Sequence, residues 1–260
     1  MSPFHGKFAW CELMTTDADA ATAFYSAVIG WGAKDAGAAH MRYTILSAGE
    51  TGVAGLVAMP QSVLDAGARP GWIGYIAVDD VDAFADRVKD AGGAVRHGPE
   101  DIPNVGRFAI VTDPQGARFT LFKPLDSCDA PPPAAGATPG RVGWHELHAA
   151  EWEAAFAFYA GLFGWTKADA VDMGPMGTYQ LFAAGGEPVG GMMTKGPEMP
   201  APAWLYYFNV DDINAAVTRT KDAGGQLLHG PHEVPGGSWI AQCLDAQGVM
   251  FAMVAPARAA

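Results

Sequence analysis

Cysteine is scarce in this chain of 260 residues: there are three, Cys11, Cys128 and Cys243, far apart and with no CxxC pair. That spacing excludes a disulfide framework and a cysteine-built zinc site, and it fits a reduced compartment. Cations are also few, 16 Lys+Arg against 28 Asp+Glu, for a formal charge of −12. Without a basic run, neither nucleic acid nor an anionic membrane surface is an expected partner. No stretch of about 18 uncharged apolar residues occurs, and Met1 to Trp10 holds no leader-type apolar segment. A cytoplasmic location is the resulting expectation. No GxGxxG, Walker or GxSxG pattern and no Cys–His arrangement points to phosphate binding or covalent catalysis. What the chain has in quantity is apolar residues, 50% of the total, enough for a large core.

The chain contains itself twice. Trp10-Cys11-Glu12-Leu13 returns as Trp144-His145-Glu146-Leu147, Ala23-Phe24-Tyr25 as Ala157-Phe158-Tyr159, and Gly30-Trp31 as Gly164-Trp165. Val78-Asp79-Asp80 returns as Val210-Asp211-Asp212, the Lys89–Gly93 run as Lys221–Gly225, and His97-Gly98-Pro99 as His229-Gly230-Pro231. Asp113, Gln115, Gly116 and Phe119 match Asp245, Gln247, Gly248 and Phe251. A repeat this long is domain-sized and not a solenoid turn. The expected organisation is a first domain over 1–124, a Pro/Ala/Gly-rich linker over 125–140 and a second domain over 141–260.

Each copy reads alike. In the first, alternation predicts a strand over Phe8–Met14, with Trp10, Glu12 and Met14 on one face. Thr16 is placed to cap a helix that ends at Gly30, and strands follow around 41–47 and 53–59. A strand at 72–78 leads into a helix over 81–91, stopped by Gly92-Gly93. Strands at 107–112 and 118–122 flank the Asp113–Gly116 turn. The pattern alone gives βαββ twice per copy. The HGP triplets, His5, His40 and His232 read as turn or loop residues away from any site. The aspartates of the two VDD runs read as helix caps.

The AFYxxxxGW run after the first helix and the DPxG turn before a final strand resemble the vicinal oxygen chelate superfamily. That superfamily includes glyoxalase I, extradiol dioxygenases and bleomycin-resistance proteins. The WxEL start, the VDDVDA and DAGG runs and GRFAIVTDPQGA are similar to its two-module glyoxalase- or hydroxylase-like form. The resemblance implies an α+β fold of tandem βαβββ modules. Their mixed sheets would curve into a U, with helices on the convex face and a cavity on the concave one. It also implies where a metal would sit: Trp10, Tyr75 and Thr120 in the first copy, Trp144, Tyr207 and Ala252 in the second. Trp and Ala offer no donor, and neutral Tyr and Thr are poor ones, so no metal and no cofactor are expected.

Around those positions the resemblance gathers the lining of a small-molecule pocket: Glu12, Met14, Ala77, Phe108, Ile110 and Arg118, then Glu146, His148, Asn209, Ile240, Gln242 and Met250. Trp10, Tyr75, Trp144 and Tyr207 either stack a planar ligand or fill the space. Thr120, Asn209 and Gln242 supply polar groups. Glu12 and Glu146 are either general acid/base groups with burial-raised pKa or structural caps. His148 occurs only in the second copy, where it is a catalytic partner or a satisfied core histidine. Arg118 either anchors an anionic group or is solvated. The leading expectation is a monomer whose metal-free cavity binds a small organic molecule, with proton transfer by Glu146 or Glu12. Metal-dependent lyase, glyoxalase or oxygenase chemistry through displaced ligands is one alternative, and sequestration without chemistry is another.

Overall fold

A computed structural model describes residues 2–37, 42–65, 67–125 and 138–256. Most of the expected linker, with Cys128, and the loop residue His40 lie outside them. The first copy runs β1 (Phe8–Thr15), α1 (Ala18–Ile29), β2 (Gly32–Asp35), β3 (Tyr43–Ala48), β4 (Thr51–Ala58) and a short helix α2 (Gln61–Asp65). It continues with β5 (Gly71–Ala77), α3 (Val81–Asp90), β6 (Ala94–Ile102), β7 (Gly106–Thr112) and β8 (Arg118–Pro124). The second copy runs β9 (Val142–Ala149), α4 (Trp152–Phe163), β10 (Thr166–Asp172), β11 (Thr178–Ala183) and β12 (Pro188–Thr194). It closes with β13 (Ala203–Asn209), α5 (Ile213–Asp222), β14 (Gln226–Glu233), β15 (Trp239–Leu244) and β16 (Met250–Ala255).

Each copy forms one eight-stranded mixed sheet. The order is β2-β3-β4-β1-β5-β8-β7-β6 in the first and β10-β11-β12-β9-β13-β16-β15-β14 in the second. The repeating unit is therefore βαβββ and not the βαββ that pattern alone gives. The additional strands are the sheet margins β2, β6, β10 and β14. Residues of β2 are all exposed and β6 is mostly so, and an edge strand with water on both faces shows no alternation to read. The HGP triplets are not turns: His97 and His229 sit in β6 and β14, and His232 also lies in β14. The cap of α1 is Asp17 and not Thr16, since the Asp17 carboxylate accepts from Ala20 N at 3.0 Å. Asp80 and Asp212 cap α3 and α5 as expected, and Gly30 ends α1 at φ +86°.

By packing, the chain divides into two compact units, and each takes half of each copy. One contains the described residues of Met1–Trp10, Ile73–Ala130 and His145–Trp204; the other contains those of Cys11–Trp72, Pro131–Trp144 and Leu205–Ala260. In the second of these, the repeated Tyr and Asp meet. The Tyr25 hydroxyl, in a side chain with no exposure, donates to Asp245 Oδ2 (3.1 Å) and accepts from Trp72 Nε1 (2.9 Å). Asp245 Oδ1 in turn accepts the backbone N–H groups of Gln247 (2.8 Å) and Val249 (2.9 Å). Gln247 reaches on to the start of α1, accepting from Thr15 and Thr16 hydroxyls at 2.8 Å each.

The first unit repeats the arrangement with the copies exchanged. Tyr159 donates to Asp113 Oδ2 (3.2 Å) and accepts from Trp204 Nε1 (3.0 Å). Asp113 Oδ1 accepts from Gln115 N and Ala117 N, both at 2.9 Å. Gln115 Oε1 caps the approach to α4 by accepting from Ala150 N and Glu151 N. The aromatic run of one copy is thus satisfied by the aspartate turn of the other, which explains why both motifs occur twice. Burial in this network raises the Asp113 carboxyl above its ordinary range and the Tyr25 hydroxyl well above its own.

Candidate functional site

Strand β9 carries the densest chemistry. Its alternation places Trp144, Glu146 and His148 on one side and His145 and Leu147 on the other. The Glu146 side chain is nearly buried, with 8% exposure, and a carboxylate there requires partners. Tyr179 of β11 supplies one, its hydroxyl donating to Glu146 Oε2 at 2.9 Å. His148, two residues along, supplies the other: its Nε2 lies 2.7 Å from Glu146 Oε1. The approach is off the hydrogen-bond line, so it is a close polar contact and not an aligned bond.

A glycine makes the tyrosine contact possible. In the parallel β9–β12 pairing Gly191 stands opposite Glu146, and a Cβ at Gly191 would overlap the Tyr179 ring. The bare backbone lets the ring cross β12 and deliver its hydroxyl to the carboxylate. In the first copy Glu12 stands opposite Gly55 in the same way. There Tyr43 precedes Ile45, the partner of Gly55, by the two residues that separate Tyr179 from Leu181, the partner of Gly191. The Glu–Gly–Tyr register is therefore repeated, and Met14 in place of His148 is what distinguishes the first copy. Sequence reasoning missed both tyrosines. The readable signal was a glycine inside each apolar strand.

On the opposite side of β9, His145 stacks on Phe8 at 3.8 Å, with its Nδ1 3.0 Å from the Val189 carbonyl. Burial pushes this imidazole down to about 4, so it is neutral at physiological pH.

The three second-copy positions at which the resemblance places a metal lie together. Tyr207 and Ala252 pair across β13 and β16 and, with Leu205, form an apolar core against which Trp144, Ile240, Met250 and Val254 pack. Gln242 Nε2 donates to the Tyr207 hydroxyl at 2.8 Å. Buried Asn209 occupies the space above Gly143, where a Cβ would overlap its amide. In the first copy, Tyr75 stands opposite Thr120 across β5 and β8, and its ring meets Phe122 edge-on at 5.7 Å. Thr120 has no exposure, and its Oγ1 has no hydrogen-bond partner among the described residues. Phe108 stands opposite Phe122, Arg118 lies at the start of β8 opposite Thr112, and Trp10 is half-buried in β1.

These residues do not fit a divalent metal. The second-copy positions are packed hydrocarbon with one tyrosine oxygen, and the first-copy positions offer neutral hydroxyls at most. Among the described residues no three His, Cys, Asp or Glu side chains converge on one point. The HGP histidines need correction on location too. His97 stands opposite Ile110 with its ring 5.6 Å from Phe108, and His229 stands opposite Gln242, so both adjoin strands that carry proposed lining residues.

Comparison with known proteins agrees with this architecture. The family model for the Glyoxalase/Bleomycin resistance protein/Dioxygenase superfamily matches twice, over residues 7–121 and 141–253. CFP32 of Mycobacterium tuberculosis, provisionally described as a glyoxylase, is 35% identical over 257 residues, covering 95% of this chain and 94% of its own. The anthracycline biosynthesis protein DnrV of Streptomyces peucetius is 32% identical over 268 residues, covering 96% and 93%. Among solved structures, the Mn(II)-bound glyoxalase of Novosphingobium aromaticivorans superposes with a TM-score of 0.67 at 19% identity, covering 98% of this chain and 83% of that one. The 2,3-dioxygenase LapB of Pseudomonas sp. KL28 gives 0.67 at 10% identity, covering 96% and 92%. At those identities the solved structures establish the fold alone. With both copies matched and relatives aligned along nearly its whole length, the chain belongs to the Glyoxalase/Bleomycin resistance protein/Dioxygenase superfamily.

Proposed function

We propose that this protein binds a small, planar organic molecule and moves a proton on it with the Glu146 carboxylate, without a metal at the superfamily's positions. The observation that carries the reading is the buried Glu146 with Tyr179 on one oxygen and His148 on the other. A desolvated carboxylate held in a fixed orientation is a competent base toward an activated C–H bond. In the step, Glu146 takes the proton, the C–H electron pair moves into an adjacent carbonyl as an enolate, and the proton returns at carbon or oxygen. His148 stands close enough to Glu146 to exchange that proton, and Tyr179 fixes the carboxylate. Met14 of the first copy stands where the second has His148, so the second copy is the working one. A planar aromatic ligand is favoured by Trp144, which shares the Glu146 face of β9. The anthracycline pathway membership of DnrV supports the same class.

The test uses anthrone, a planar tricyclic ketone with an acidic methylene, handled without oxygen in D2O and EDTA. Wild-type protein is expected to accelerate deuterium uptake at the methylene, and Glu146→Gln to abolish the acceleration while still binding anthrone by tryptophan quenching. Binding by both proteins with no exchange by either would favour sequestration instead.

A further inference from the structure

Strand β14 carries two histidines that the reading above does not use. Along the β14–β15 ladder His229 stands opposite Gln242 and His232 opposite Ile240, so three steps on β14 face two on β15. The strand bulges between them, and residues three apart come side by side. The two imidazole rings lie 4.6 Å apart, centre to centre, at 65°. The first copy bulges at the same place, with His97 opposite Ile110 and Glu100 opposite Phe108. There the paired groups are an imidazole and a carboxylate, His97 Nε2 standing 2.8 Å from Glu100. The first-copy pair satisfies itself, donor to acceptor. In the second copy a second imidazole stands where the first has that carboxylate, so two nitrogen-bearing rings, each able to ligate a metal, come side by side.

From this juxtaposition we infer that His229 and His232 form a two-imidazole site for a borderline divalent transition ion, Ni2+ or Zn2+, with water completing its shell. Imidazole nitrogen suits these ions, whereas Mg2+ and Ca2+ require oxygen ligands that the pair does not offer. Its place is the bulge of β14, not the apolar positions Trp144, Tyr207 and Ala252. It stands independently of any role for Glu146.

The experiment titrates untagged full-length protein with NiCl2, ZnCl2 and MgCl2 in a non-coordinating buffer, by calorimetry. Wild type is expected to take up one Ni2+ or Zn2+ per chain with micromolar affinity and to ignore Mg2+. His229→Asn and His232→Asn should each weaken binding by about tenfold or more. His97→Asn, the matching change in the first copy, should leave binding unchanged. Paramagnetic broadening of imidazole signals by Ni2+ in the wild-type protein gives a second readout that needs no variant to fold. Broadening confined to His229 and His232 is expected. Binding unchanged in both β14 variants, broadening centred elsewhere, or no uptake below millimolar ion would overturn the inference.

Discussion

Removing one hydroxyl, by Tyr159→Phe, tests how the two copies depend on each other. In the native unit that hydroxyl accepts from Trp204 Nε1 (3.0 Å) and donates to Asp113 Oδ2 (3.2 Å), and the tyrosine has no exposure. Phenylalanine keeps the ring packing and strands two buried polar groups. An orphaned indole N–H costs about 1–3 kcal/mol, and a carboxylate that keeps its two backbone donors loses a further bond of about 1 kcal/mol. The expected loss is therefore about 2–4 kcal/mol, read as a lower urea midpoint at unchanged m-value. Its pH dependence has a definite sign. Burial raises Asp113 in the folded state and the Tyr159 bond opposes that rise. Deleting the bond raises the folded pKa further. A raised carboxyl costs stability above its folded pKa and costs none where both states are protonated, below about 3.9. The deficit should thus be full at pH 7 and shrink as pH falls through the raised value. A loss under about 0.5 kcal/mol, or one that grows toward acid, would refute the network as described.

Three further outcomes follow from individual contacts. Gly191→Ala should displace the Tyr179 ring from β12, costing about 1–3 kcal/mol by overpacking, with loss of proton-transfer activity measured alongside the melting midpoint. His145, neutral in the fold and pushed down to about 4, binds fewer protons folded than unfolded between that value and about 6.5. Its contribution is full above pH 6.5 and is lost as pH falls toward 4, up to about 3 kcal/mol, so a His145→Phe variant should show a flatter acid limb in a stability–pH series. Thr120→Val keeps the shape of a side chain whose hydroxyl has no hydrogen-bond partner among the described residues; it should be neutral or stabilise by about 1 kcal/mol in urea unfolding.

Where apolar residues alternate or recur at helical spacing, the sequence was legible. Strands β1, β7 and β8 and helices α1 and α3 emerged within a few residues because each buries one face, and β5 because it is a short apolar run buried along nearly its whole length. The marginal strands β2, β6, β10 and β14 did not, because exposed residues carry no period to read. That omission misplaced His97, His229 and His232 into turns. At the site, Glu146 and His148 were legible as same-face neighbours two residues apart. Tyr179 was not, because its contact depends on a ring passing over a glycine of an intervening strand. The pairing of Tyr25 with Asp245 and of Tyr159 with Asp113 was likewise hidden. Both motifs stood in plain view, but an exchange of partners between copies is a long-range contact that no local pattern encodes.

Deuterium uptake by anthrone in EDTA, compared between wild type and Glu146→Gln, tests the central claim most directly. The account predicts acceleration by the wild type that survives chelation and vanishes in the variant while anthrone still binds. Equal acceleration by both proteins, or acceleration that chelation removes, would contradict it.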